Sequence, residues 1–259
     1  MPRPALLAAA VAAVTSLLVA GCGDGSASAS AGGAGPSGTV TVFAAASLTE
    51  SFTTLGEQFE RAHPGVTVKF NFAASSALAA SIGQGAPADV FASAGPTNMD
   101  ALVTDGVAQD PRNFARNTMQ IAVPPDNPGR VTSLADLARP GLKIALCQEQ
   151  VPCGATAKKV LDRAGITVTP KTLGADVKSV LTTVSLGEVD AGIVYRTDVL
   201  AAGSKVAGVE IPADRNASTA YPIATLEDAP NADGAKAFVD YVLSADGTSV
   251  LEAAGFLAP

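Results

Sequence analysis

The chain has 259 residues, 47% hydrophobic and only 16% charged, with 17 Lys and Arg against 24 Asp and Glu for a formal charge of −7. An acidic balance with scattered basic residues offers no footprint for a phosphate backbone, so no nucleic-acid partner is expected. One histidine, in a His-Pro-Gly turn, leaves no Ser-His or Cys-His pair, and neither a Gly-x-Ser-x-Gly elbow nor a Gly-x-x-x-x-Gly-Lys loop occurs; a catalytic role is not expected.

Residues 1–21 read as an export signal: one basic residue, Arg3, then an Ala/Leu/Val run from Ala5 to Ala20. Leu17-Leu18-Val19-Ala20-Gly21-Cys22 resembles a bacterial lipobox, which would make Cys22 the lipid-modified first residue of the mature chain, held at the outer face of the cell membrane. A plain cleaved signal and a single membrane anchor are the competing readings, but the run is short for a membrane span. Residues 22–38, rich in Gly, Ser and Ala, read as a flexible tether. Removing residues 1–21 takes away one arginine, leaving 16 Lys and Arg against 24 Asp and Glu, a charge of −8. An anion would then be held by oriented neutral dipoles rather than drawn in by net charge.

The folded part is expected from about Thr39. Val40 to Ala45 reads as a strand that runs through Ala44-Ala45-Ala46 into a helix beginning at Ser47. Unpaired N–H groups and the positive dipole end at such a junction suit an anion. Ser47-Leu48-Thr49-Glu50 is equally the spacing of a capping box, in which Ser47 only caps its helix. Leu48, Phe52, Leu55 and Phe59 share one helical face, and Pro64-Gly65 ends the helix. Val66, Val68, Phe70 and Phe72 alternate as a strand, after which Ala73-Ala74 leads to a second helix start at Ser75-Ser76. A strand at 89–93 and a helix at 97–102 follow, then a strand at 118–123 and a Pro-Pro-Asp-Asn-Pro-Gly turn. A second βα set comprises strands at 143–146 and 191–195 and helices at 155–164 and 176–186; a strand at 221–226 and helices at 234–243 and 247–254 end the chain. The alternation predicts an α/β protein of two doubly wound lobes, joined by a two-crossing hinge with a cleft between them.

Cys147 and Cys153 flank a five-residue loop. In an exported protein a disulfide is the expected state, with a metal site or a reactive thiol as rivals.

Five segments in order, Val-Phe-Ala-Ala-Ala-Ser-Leu (42–48), Phe-Ala-Ala-Ser-Ser-Ala-Leu-Ala (72–79) with Gly-Ala-Pro-Ala-Asp-Val-Phe (85–91), Val-Pro-Cys-Gly (151–154), Asp-Val-Lys (176–178) and Gly-Ile-Val-Tyr (192–195), resemble the molybdate-binding proteins of bacterial ABC importers. The resemblance runs over 39–259. It implies a type II periplasmic binding protein-like fold, with 39–119 plus 224–259 as lobe 1 and 120–223 as lobe 2. It further implies that Ser47 and Ser75 from lobe 1, the backbone N–H groups of Cys153 and Val177, and the Tyr195 hydroxyl from lobe 2 hold the oxyanion. No cofactor and no direct protein-to-metal ligand are implied; the partners are molybdate or tungstate and a membrane permease, and the protein acts as a monomer. The family pattern has Ala where Cys153 stands, which preserves the backbone donor but places a disulfide beside it. On their own, Val177 would read as a core valine, Tyr195 as a strand-end tyrosine and Asp176 as a helix cap.

A set of donors alone fits a fully deprotonated tetrahedral dianion, which accepts at every oxygen, and leaves no acceptor for the proton of hydrogen phosphate. Sulfate has to be excluded by size, since each buried donor it fails to reach costs about 1–3 kcal/mol. A sulfate or thiosulfate binder is the main alternative. A ferric-ion binder would need more tyrosines and carboxylates together.

Overall fold

The computed structural model describes residues 35–259; the expected signal at 1–21, the lipid site at Cys22 and all but the end of the tether lie outside the described residues. Ordered pairing begins where expected. Asn231 Nδ2 donates to the Ser37 carbonyl (2.8 Å) and the Gly38 N–H to the Gly65 carbonyl (2.8 Å), at the head of strand β1 (Gly38–Ala45).

β1 is apolar and almost wholly buried after Thr39, as a strand covered on both faces has to be. It lies between two parallel neighbours, β2 (Val66–Ala73) and β3 (Val90–Ala92). Helices α1 (Thr49–Ala62), α2 (Ser75–Gly83) and α3 (Pro96–Thr104) belong to this half. The second half has three parallel strands, β5 (Ile144–Cys147), β6 (Thr172–Gly174) and β7 (Ala191–Tyr195), with helices α4 (Pro152–Ala164), α5 (Val177–Ser185) and α6 (Arg196–Ala202).

Two long antiparallel strands join the halves. β4 (Ala108–Val123) pairs with β9 (Ser218–Leu226) as far as Thr118, then with β7 from Met119 and with the short β8 (Ala207–Val209) from Ile121. β9 pairs in turn with β3, giving the sheet order β2-β1-β3-β9-β4-β7-β5-β6. Two parallel βα sets linked by two shared strands are the doubly wound, two-crossing architecture read from the sequence. Helices α7 (Ala232–Val242) and α8 (Ala245–Ala253) close the chain.

Beneath α1 the rings of Phe52, Phe70, Phe114 and Phe238 meet at centroid separations of 5.6–6.3 Å, so the apolar face Leu48-Phe52-Leu55-Phe59 is locked against the sheet. That packing fixes where the start of α1 points.

Candidate functional site

Five chain turns converge on one small cavity of about 20 Å³. Ser47 sits in the tight 3₁₀ turn Ala46–Leu48 ahead of α1, Ser75 is the first residue of α2, and Cys153 is the second of α4. Val177 opens α5 and Tyr195 ends β7. All five residues expected from the sequence therefore line the same space. About 10–15 Å³ is needed to hold a single water, so the cavity has the scale of one compact ion and shuts out a sugar, peptide or nucleotide. A wider groove of about 540 Å³ lies beside Ser47, walled mainly by α1, α6 and α8.

The alanines flanking the serines, Ala45, Ala46, Ala73 and Ala74, keep side chains out of the way of the backbone. Neither α2 nor α4 has a side-chain cap. On α5, Asp176 caps as expected: its Oδ1 accepts from the Ser179 N–H (2.8 Å) and hydroxyl (3.0 Å), which leaves the Val177 N–H uncommitted. The first N–H groups of a helix have no partner inside it and carry its positive dipole end, so several such ends facing one cavity make a site for negative charge. Of the thirteen lining residues only Asp176 bears a charge, and its carboxylate is turned to its own helix.

Ser47 does not cap α1. Leu48 occupies the cap position without a side-chain bond, and the Ser47 Oγ lies 2.9 Å from the Tyr221 hydroxyl. Glu50, the other half of the expected capping box, reaches instead across to Lys178 on α5 (2.8 Å). The Ser75 Oγ accepts from the Ala94 N–H (3.0 Å). Tyr195 is buried, and its hydroxyl finds no hydrogen-bond partner among the described residues. Burial, reinforced by the charge of Asp198, raises its pKa, so it remains a proton donor. The disulfide expected in the loop is present, joining Cys147 at the end of β5 to Cys153 (Cα to Cα 5.9 Å). Among the described residues no group of three or more His, Cys, Asp or Glu is placed to hold a metal ion.

Three groups beside the site gave no local sequence signal: Tyr221, Asn117 and Asp198, the partner of Lys178. Asp198 is fully buried on α6, accepts from the Tyr195 N–H (3.2 Å) and pairs with Lys178 Nζ (3.0 Å). Burial pushes its carboxyl up to about 6 from 3.8, against the opposing pull of Lys178. Because the folded pKa lies above the unfolded one, the folded chain binds more protons across that interval, and the residue's contribution to stability is lost as pH rises from 3.8 to about 6. In urea unfolding at a series of pH values, the stability of the unaltered protein minus that of Asp198→Asn should fall through this window and be level above it. A level difference throughout would mean that Lys178 offsets the burial and leaves the folded pKa at its unfolded value.

The fold and this cavity define a two-lobed solute-binding protein. The chain matches the bacterial extracellular solute-binding protein family over residues 40–257 and belongs to that family, whose members bind solutes rather than catalyse reactions. It is 42% identical over 251 residues to the molybdate-binding protein ModA of Mycobacterium tuberculosis, covering 95% of this chain and 96% of that protein. It is 35% identical over 255 residues to the putative ABC transporter substrate-binding lipoprotein YvgL of Bacillus subtilis, covering 96% of each. Its backbone superposes on the periplasmic molybdate-binding protein of Azotobacter vinelandii with a TM-score of 0.76 at 21% identity, over 85% of this chain and 99% of that one. Among the described residues no helix is long and apolar enough to cross a membrane.

Proposed function

We propose that this protein captures molybdate, and tungstate equally, in the cavity between Ser47, Ser75, Cys153, Val177 and Tyr195, and delivers it to the permease of an ABC importer. The observation that carries the reading is the convergence of uncapped helix starts and three hydroxyls on a cavity of about 20 Å³ that no cationic side chain lines. Residues 39–119 plus 224–259 form one lobe and 120–223 the other, with β4 and β9 as the crossings about which they close. A lipid on Cys22 and the tether at 22–38 keep the monomer at the outer face of the membrane, within reach of the permease; the similarity to a putative substrate-binding lipoprotein supports that anchorage.

Each serine hydroxyl supplies one bond to an ionised group. Ser47→Ala and Ser75→Ala should therefore each weaken molybdate binding by about 1–3 kcal/mol in calorimetry with the fold retained. Wild-type affinity in both variants would overturn the site. Sulfate bound as tightly as molybdate by the unaltered protein would replace this reading with that of a sulfate or thiosulfate binder.

A further inference from the structure

Behind Ser47 runs a buried chain of polar groups whose proton directions can be read one after another. The Thr118 N–H donates to Asn117 Oδ1 (3.0 Å). A backbone amide can only donate, so the oxygen of the Asn117 amide is fixed on that side and its Nδ2 faces the opposite way. Nδ2 donates to Thr197 Oγ1 (2.8 Å) and to the Tyr221 hydroxyl oxygen (3.4 Å). A phenol has one proton, and burial pushes its pKa well above the ordinary tyrosine value, so Tyr221 keeps it. With its oxygen already accepting, that proton is left for the Ser47 Oγ 2.9 Å away. Ser47 in turn becomes the acceptor of that bond, and its own proton is free for the cavity it lines. Ser75 is treated in the same way, since its Oγ accepts from the Ala94 N–H and its proton is likewise released to the cavity.

We propose that Asn117 and Tyr221 are specificity-determining positioning residues, which hold Ser47 as a donor toward the ligand and occupy one of its two lone pairs, so that less acceptor capacity is left for an oxyanion that carries a proton. The inference rests on the oxyanion reading of the cavity and adds to it the origin of discrimination against hydrogen phosphate. Ser47 alone would not provide this. A serine hydroxyl rotates freely and serves as donor or acceptor, so an isolated one would accommodate the P–O–H group of hydrogen phosphate by turning its lone pair toward it. Two residues far from Ser47 in the sequence, on β4 and β9, bias that choice toward donation without lining the cavity.

The test uses the full mature chain, with binding of molybdate and of inorganic phosphate measured by calorimetry and by competition at neutral pH. Tyr221→Phe keeps the ring and deletes only the hydroxyl. The molybdate Kd should rise about three- to tenfold, while phosphate, excluded by the unaltered protein, should now compete, so that selectivity for molybdate over phosphate falls by about tenfold or more. Asn117→Ala, which leaves Tyr221 free to donate or accept, should change selectivity in the same direction to a smaller extent, and it keeps the idea testable if Tyr221→Phe folds poorly. A purely structural role predicts a loss of affinity with the selectivity unchanged, and that result in both variants would overturn the proposal. Failure of the unaltered protein to bind molybdate would overturn the oxyanion reading first, and is distinguished by needing no variant.

Discussion

Molybdate and tungstate, each at about a thousandfold excess over Kd, should raise the Tm of this protein by about 10 °C, while sulfate, phosphate and ferric ion at the same concentration leave it nearly unchanged. A ligand bound only by the folded chain stabilises it by RT ln(1 + [L]/Kd), about 4 kcal/mol at that excess, and in a chain of this size each kcal/mol raises Tm by about 2–4 °C. The selectivity has two separate causes. Phosphate brings a proton into a cavity lined by donors, where one lone pair of Ser75 is taken by the Ala94 N–H and, on the proposal above, one of Ser47 by the Tyr221 hydroxyl. Sulfate brings none, but its shorter bonds leave some donors unreached, at about 1–3 kcal/mol for each. The shift should persist in moderate salt, because fixed dipoles around a buried cavity are screened far less than exposed charges. Differential scanning fluorimetry with each ion decides it: stabilisation by sulfate equal to that by molybdate removes the size argument, and no shift with any oxyanion removes the binding reading.

The site was legible in the sequence to the extent that its parts are local. A strand that ends in alanines and turns into a Ser-headed helix is a pattern of a few neighbouring residues, and so are Val-Pro-Cys-Gly and Asp-Val-Lys; each proved to present a helix start to the cavity. The ambiguity at Ser47 was also local, since Ser-x-x-Glu fits a capping box, and it was resolved by partners 174 and 128 residues away, Tyr221 for Ser47 and Lys178 for Glu50. No spacing rule reaches that far. The first half of β4 escaped for a different reason: Asp110-Pro111 breaks the alternation, and the structure accommodates it with register shifts around a residue at φ 43°. The three-residue strands β6 and β8 are too short to show a period. Helix α6 starts directly at the end of β7, with no turn residue to announce it, and so the buried Asp198 it carries beside Tyr195 was not foreseen.

Gly154→Ala should weaken molybdate binding by about a hundredfold or more and cost about 3 kcal/mol of stability, the upper end for overpacking a tight site. Gly154 follows Cys153 in the first turn of α4, where the helix lies directly against the loop it has just left. A Cβ at this position would overlap the carbonyl oxygen of Gln148 and come within 2.5 Å of its carbonyl carbon and 2.9 Å of the Cys147 oxygen. These are backbone atoms, so no side-chain rotation relieves the clash. The loop is not free to withdraw either, because the Val151 N–H donates back to the Gln148 carbonyl (3.2 Å) and the Cys147–Cys153 disulfide fastens it to the same helical turn. The start of α4 must therefore move, and with it the Cys153 N–H at the cavity; a displacement near 1 Å at a fixed polar contact can cost about a hundredfold. Gly83, the last residue of α2, supplies the control, since a Cβ there meets nothing within 4 Å and Gly83→Ala should leave affinity unchanged and stability level or slightly raised. Calorimetry and thermal unfolding of the two variants side by side test the argument, and wild-type affinity in Gly154→Ala would show that the start of α4 takes no part in holding the ligand.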